Sequence, residues 1–491
     1  MARPPHDVVT PITLPDGPGS LRHRLADALV REIRAGTLAD GDRLPSTRAL
    51  ARTLGVARTA VVEAFDELAA AGWVVAVPGS ATRVAAGARS AARTVADPVI
   101  DPPRRLPPAA PGSATIDLTP GAPDPDLVSR TEWRRAWRRA ADAAIGVDLD
   151  TARSHPELRA ALSAHLRRTR GIVARADEIV VVPGVAAALR ALCVAADLNG
   201  RDVAFEDPGY PRARHAFVAA GATPRAVSVD GDGLDPALLR PTDRAVYCTP
   251  AHQYPTGGRM PVTRRAALVD AARTLGALVV EDDYDGEFRY GTAPLPALRS
   301  VRGGRDCVAY VGTASKILTP TLRLAWIVAP RDLHAGIADA LDAAGEHCSG
   351  TAALALAAFV ESGALTRHLA RASRTYAARR AAFVTALTAA DPGGLLAVDG
   401  IGAGLHVVVR PRSPVPSRDF AAELARAGVL APPLAEYSAD DSGSGVVCGY
   451  SRLREPDAPA AARALVGAAR ACVRTRGGRA ASGPAASPSR P

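Results

Sequence analysis

The chain keeps a single lysine. Of its 60 basic residues, Lys316 alone is lysine and the other 59 are arginine. Arginine serves wherever positive charge or solubility is wanted, but it does not shed a proton and attack a carbonyl as a primary amine does. One lysine kept in an arginine-only background points to covalent chemistry, unless it is a chance survivor of coding bias; its neighbours decide. Lys316 lies in CVAYVGTASKILTPTLRLAWIVAP, where CVAYVGT and LRLAWIVA read as strands and the loop between carries Thr313, Ser315 and Arg323. Two hydroxyls and a guanidinium beside an amine suit a phosphate held next to an imine-forming lysine.

Four more segments carry chemistry at the ends of apolar runs. ALVVEDDYDGEFRY is a strand that ends in acids and Tyr284. A carboxylate there could keep a pyridine nitrogen protonated, and spacing alone leaves both Asp282 and Asp283 open. EIVVVPGVAAALRALCVAA reads as strand, Gly184, helix, and the free N–H groups of Gly184, Val185 and Ala186 make a ready phosphate cradle. DVAFEDPGYPRAR presents Tyr210, a stacking partner for an aromatic ring, followed by Arg212. VYCTPAHQYPTGG is a strand ending in a turn with His252, Gln253 and Pro255. Each segment alone has an ordinary explanation as packing or solvated charge. Together with the sole lysine they argue for one site, because ligands in α/β sheets bind at the carboxyl ends of strands.

These segments must be positioned by a larger scaffold. At 491 residues the chain is too long for one hydrophobic core, and 47% hydrophobic with 22% charged residues is globular composition. No apolar run is long enough for a membrane span and the first residues do not read as a secretory signal, so a cytoplasmic protein without a membrane partner is expected. The six cysteines lack C-x-x-C spacing, which argues against a zinc site or a disulfide framework; no metal is expected. Net charge of +10 permits an anionic partner. From about Ile116 to Val473 apolar strands alternate with Ala-rich helices, the pattern of an α/β domain with a mostly parallel sheet. Upstream, PVIDPPRRLPPAAP reads as a polyproline-like tether, and the tail RTRGGRAASGPAASPSRP reads as disordered.

The first 85 residues have a different grammar. Leu21, Leu25, Leu29 and Ile33 recur at steps of four, giving an amphipathic helix stopped by Gly36. Ser46 is a natural N-cap for a short helix to Leu54, and Gly55 turns the chain. A third helix follows, with Val61, Phe65 and Leu68 on one face and Gly72 at its end, and then WVVAVPGSATRVA reads as a hairpin. This is the order of a winged helix-turn-helix, whose third helix offers its first residues, here Ala57, Arg58, Thr59 and Ala60, to the major groove of double-stranded DNA. Arg58 suits a guanine edge or a phosphate, and Arg48 a backbone contact. Gly79 would let the wing tip approach closely, and Arg83 could reach phosphate. Nine arginines against seven acids between residues 20 and 85 leave little bulk charge, so placement must carry the binding.

The string G-x-x-x-x-G-D-R-L-P-S-x-R-x-L-A-x-x-L-G-V-x-R, from Gly36 to Arg58, resembles the GntR-type winged helix-turn-helix. EDPGYPRAR, TPAHQYPTG, EDDYDGEFRY and GTASKILTPTLRLAW are similar to the motifs of fold-type I aminotransferases that bind pyridoxal 5'-phosphate. Joined, the whole resembles a MocR/GabR-type transcriptional regulator over about residues 20–470. The resemblance implies a mainly α DNA-binding domain at 15–86, a linker at 87–114, an α/β fold-type I aminotransferase-like effector domain at 115–473 and a tail at 474–491. It also implies a homodimer that senses an amine, an amino acid or vitamin B6 itself, or alternatively an active aminotransferase. Lys316 would form the internal aldimine, Asp282 would face the pyridine nitrogen, Tyr284 the phenolic oxygen and Tyr210 the ring face. Phosphate would rest on Thr313, Ser315, Arg323 and the backbone of Gly184–Ala186. The chain departs from the pattern twice. Gly184-Val185-Ala186-Ala187-Ala188 replaces a G-x-Q-Q type run, and Val447 stands where an aminotransferase places a carboxylate-binding arginine, leaving Arg212 and Arg452 as candidates.

Overall fold

The computed structural model describes residues 12–14, 20–76, 81–88, 116–144, 151, 154–291 and 295–481. The chain divides into two compact units, Met1–Pro111 and Gly112–Pro491. Among the described residues no helix is long and apolar enough to cross a membrane.

In the first unit, α1 (Leu21–Ala35), α2 (Thr47–Leu54) and α3 (Arg58–Ala70) precede a short antiparallel hairpin of β1 (Val74–Val75) and β2 (Arg83–Val84). The Ala49 N–H donates to Ser46 Oγ at 3.2 Å, the expected cap, a contact worth about 1 kcal/mol. Gly36 and Gly55 end α1 and α2 in the left-handed conformation that a side chain resists. Leu25, Leu29, Ile33, Val61, Phe65 and Leu68 close one core. That core also takes in Ile12 and Ala88, so the packed unit extends beyond 15–86 at both ends. Most of the expected linker, and the wing-tip Gly79, lie outside the described residues.

After a short strand, β3 (Ile116–Asp117), which pairs in parallel with Val429–Leu430, the second unit is built on an eight-stranded sheet. Its strands are β4 (Ile179–Val182), β5 (Asp202–Asp207), β6 (Thr223–Asp230), β7 (Gly233–Leu234), β8 (Asp243–Cys248), β9 (Leu278–Asp283), β10 (Val308–Thr313) and β11 (Ala325–Val328), in the order β4-β11-β10-β9-β8-β5-β6-β7. β10, β9, β8, β5 and β6 pair in parallel, while β11 runs antiparallel between β10 and β4. The interior strands are buried along both faces, which is why they read as continuous apolar runs. One face packs on the helices Val185–Ala195, Pro211–Ala219 and His334–Ala344, and the other on Val262–Leu275. A three-stranded antiparallel sheet, β12 (Leu396–Asp399), β13 (His406–Pro411) and, C-terminal to them, the strand Val446–Gly449, forms a smaller layer. The last helix runs Ala458–Ala481, past the boundary at 474 expected from composition. Its alanines and arginines are strong helix formers, and they carry the helix into the segment read as tail.

Candidate functional site

The carboxyl ends of β4, β5, β8, β9 and β10 open onto one cavity of about 200 Å³. Its wall includes Gly184, Val185, Ala186, Tyr210, Arg212, Asp282, Tyr284, Thr313, Ser315, Lys316 and Arg323. The structure thus brings together every residue proposed from sequence for the cofactor, together with Arg212. Arg452 is elsewhere: it pairs with Asp117 at 2.6 Å on the surface, both side chains 43% exposed, and is no part of this wall. It follows the strand Val446–Gly449 by three residues, beyond the point at which that strand could aim it inward.

Lys316 sits on a single helical turn, Ala314–Ile317, that caps the end of β10. The Thr313 side chain accepts from the Ser315 N–H at 3.1 Å and closes that turn. Lys316 Nζ donates to the Gly121 carbonyl at 2.6 Å. Gly121 has a φ of 86°, which favours glycine, and a β-carbon there would lie 2.9 Å from Nζ and push the amine aside. Burial pushes the amine below the ordinary lysine range, against the pull of Asp282 and Asp285 and with the like charge of Arg212 adding to the push. A lysine so placed is closer to the neutral form that attacks a carbonyl.

Strand alternation sends the two acids of β9 to opposite faces, and their partners on neighbouring strands tell them apart. Asp282, 3% exposed, faces the cavity; Tyr247 donates to its Oδ2 at 2.7 Å, and Oδ1 is buried without a partner. Burial pushes this carboxyl up to about 6, against the Tyr247 hydrogen bond and the Lys316 charge. An unpartnered carboxylate oxygen in such a place wants a cation or a donor, and a protonated pyridine nitrogen is one. Asp283 points the other way, into a buried network: Arg170 Nε binds its Oδ2, Tyr310 donates to it at 2.8 Å, and Arg170 also holds Glu287 at 2.8 Å.

Aromatic rings build the remaining walls. Phe205 stacks on Tyr247 with centroids 4.6 Å apart and planes within 6°, which fixes the hydroxyl that Asp282 accepts from. Tyr254 meets Tyr210 edge-on at 5.5 Å and Tyr284 at 5.4 Å. The Tyr284 hydroxyl lies 2.9 Å from His252 Nδ1. Sequence reasoning missed Tyr247, Thr249 and Tyr254 as wall residues. Tyr247 lies within an apolar strand, where a tyrosine reads as packing; only its hydroxyl, buried and needing a partner, could have marked it.

At the opposite end of the cavity the helix Val185–Ala195 starts from Gly184, whose φ is 113°. The Arg323 guanidinium stands against that start: a β-carbon on Gly184 would lie 3.6 Å from its Cζ. Arg323 itself adopts φ 54°, a left-handed conformation costly for a residue with a side chain, and is exposed. No hydrogen bond or ion pair engages its guanidinium among the described residues. Backbone N–H groups, the helix dipole and a free guanidinium form an anion site suited to phosphate. Orphaned carboxylate, depressed amine and anion cradle together fit pyridoxal phosphate.

Val447 is fully buried with Val408, Leu434 and Tyr437, against Tyr254. The position at which the sequence resemblance expects a carboxylate-binding arginine thus lies in an apolar cluster.

In the first unit Ala57 is the N-cap of α3 and Arg58 its first residue; Ala57, Arg58, Thr59 and Arg48 are all exposed, and Ala60 is half-buried. Arg58 Nε donates to Thr47 Oγ1 at 3.4 Å, which ties the start of α3 to α2. Arg83 is half-buried, and its Nη1 donates to the Gly41 carbonyl at 3.0 Å, so this guanidinium braces β2 against the loop before α2.

Comparison with known proteins agrees with both units. The family described as bacterial regulatory proteins, gntR family, matches residues 21–84, and aminotransferase class I and II matches residues 115–452. The chain is 34% identical over 400 residues to the HTH-type pyridoxine biosynthesis transcriptional regulator PdxR of Corynebacterium glutamicum, covering 81% of this chain and 85% of that one. It is 33% identical over 407 residues to a protein of Rhizobium meliloti described as probable rhizopine catabolism regulatory protein MocR, covering 79% and 81%. An archaeal alanine:glyoxylate aminotransferase superposes with a TM-score of 0.67 at 25% identity, over 74% of this chain and 92% of the other.

Proposed function

We propose what this chain senses from the family to which it belongs, the MocR-type GntR transcriptional regulators, in which a helix-turn-helix is fused to an aminotransferase class I and II domain. It is a cytoplasmic, homodimeric, DNA-binding regulator whose large domain takes pyridoxal 5'-phosphate as its signal. When bound, that compound supplies an aldehyde that condenses with a primary amine, losing one water. Lys316 is the amine. Asp282 would hold the pyridine nitrogen, Tyr284 would face the phenolic oxygen, and Tyr210 would pack on the ring. Gly184, Val185, Ala186, Thr313, Ser315 and Arg323 would hold the phosphate.

The observation that carries the reading is the unpartnered Asp282 Oδ1 in the same cavity as the only lysine. Val447 in its apolar cluster weighs against an amino-acid effector held by its carboxylate, and the likeness to the Corynebacterium regulator of pyridoxine biosynthesis favours a vitamin B6 signal. Ligand binding shifts the large domain between two states and so the placement of the paired DNA-binding units. The test is operator binding, followed by fluorescence anisotropy, with and without pyridoxal phosphate. A change in affinity that Lys316→Ala abolishes supports the reading; an affinity indifferent to the compound overturns it. A second reading, an active aminotransferase with a DNA-binding unit attached, rests on the complete cavity wall and on Arg212 at its rim. Turnover of an amino donor with a keto acid would favour that reading.

A further inference from the structure

Behind the Tyr284 wall lies a chain of buried groups that the reading above does not use. His252 Nδ1 is 2.9 Å from the Tyr284 hydroxyl and 3.0 Å from Asp285 Oδ2. All three residues are buried, His252 and Asp285 at 1% exposure. On the far side His406 Nε2 lies 3.0 Å from the Pro255 carbonyl and so carries its proton there, which leaves His406 Nδ1 bare. The two imidazole centroids are 4.9 Å apart, and His252 Nε2, His406 Nδ1 and Asp285 Oδ1 are buried without hydrogen-bond partners.

One ring nitrogen holds at most one hydrogen bond of full strength along its lone-pair or N–H axis. With its proton on Nδ1 and directed at the Asp285 carboxylate, His252 has no lone pair on that nitrogen to accept from Tyr284. The Tyr284 hydrogen is therefore not given to the ring, and the phenol oxygen takes the weaker share of the same N–H. We infer that His252, oriented by Asp285, is a positioning residue that turns the Tyr284 O–H toward the cavity and strengthens it as a donor. This rests on the cofactor reading, because the acceptor would be the phenolic oxygen of pyridoxal phosphate.

The charged and titratable groups that face this chain are Asp282, Glu206 and Tyr254 on the Tyr284 side, Asp283 and Glu287 beside Asp285, His406 behind His252, and Lys316 and Arg212 across the cavity. None of them changes under the substitutions below. A donor on the phenolic oxygen of a bound cofactor would withdraw electron density, so the Lys316 nitrogen would lose its proton at lower pH. Without that donor the midpoint rises.

The experiment is a pH titration of the bound-cofactor absorbance band on the full chain. His252→Ala and Tyr284→Phe should each raise the midpoint by about one unit, the equivalent of one charge-assisted hydrogen bond. In the Tyr284→Phe background His252→Ala should add nothing, whereas a merely structural histidine would act in both. His252→Asn, whose amide falls near the Nδ1 position, should restore the midpoint. His252→Gln, whose amide falls near Nε2, should not, and it stands in for His252→Ala if that variant does not fold. A midpoint unmoved by His252→Ala or His252→Gln overturns the inference. No band in the unmodified chain contradicts the cofactor reading instead.

Discussion

Tyr247 donates to Asp282 Oδ2 at 2.7 Å while the other oxygen of the same carboxylate is buried without a partner. The strand before the cavity thus satisfies half of an acid and leaves half for a ligand. In the ligand-free chain that half is a cost that depends on pH. Asp282 titrates near 3.8 when unfolded and at about 6 when folded. The folded state therefore binds the extra proton between those values, and stability falls as pH rises through that window and then levels off. Asp282→Asn should remove the loss. In urea unfolding the cofactor-free variant should gain stability on the unmodified chain as pH rises from about 3.5 to about 6.5, by up to ~3 kcal/mol. A constant difference across that range contradicts the assignment.

Arg323 and Gly184 make a prediction about phosphate. Removing a charge-assisted contact, as in Arg323→Ala, should weaken pyridoxal phosphate about 10- to 100-fold. Pyridoxal, which lacks the phosphate, should bind the variant and the unmodified chain alike. Gly184→Ala places a side chain at φ 113° and should cost ~1–3 kcal/mol of stability as well. Spectral titration with the two aldehydes is the measurement, and an equal loss for both would refute the cradle.

On DNA, Arg48 and Arg58 separate by role. Arg48→Ala should weaken all sequences alike and lower the salt slope of binding by about one. Arg58→Ala should cost about 1–3 kcal/mol and relax preference at one base position if it reads a guanine edge. Arg83→Ala should instead lower the melting temperature of the N-terminal unit, since its guanidinium holds Gly41. Anisotropy against salt, beside a thermal melt, tells the three apart.

Arg170 tests the far side of β9. It is buried between Asp283 and Glu287, so Arg170→Met leaves two buried acids with only Tyr310 and His165 beside them and should cost about 3–5 kcal/mol in chemical denaturation. At a denaturant-free concentration where the variant remains folded, its cofactor spectrum should match that of the unmodified chain. An altered spectrum would mean that Asp283 reaches the cavity.

The local grammar of the chain was legible. Ser46 as a cap, Gly36 and Gly55 as stops, and the strand ends at Asp282 and Thr313 all follow from turn chemistry and apolar runs. What alternation along one strand leaves open, a neighbouring strand decides: Tyr247 on β8 chooses Asp282 over Asp283. Contacts between distant positions were not legible. Nothing in the loop around Gly121 announces that its carbonyl receives the lysine 195 residues later. Arg452 looked usable because an arginine near the end of the domain suits a carboxylate, yet Asp117 holds it on the surface.

The central claim is a covalent link at one nitrogen, and the composition makes it easy to isolate. Besides the chain's own α-amino group, Lys316 is the only primary amine in the sequence. The chain is incubated with pyridoxal phosphate, reduced with borohydride, digested and weighed by mass spectrometry. One phosphopyridoxyl group is expected on the peptide that carries Lys316, and none there when borohydride is omitted. A reduced chain that carries no added mass at Lys316, or carries it only at the amino terminus, contradicts it.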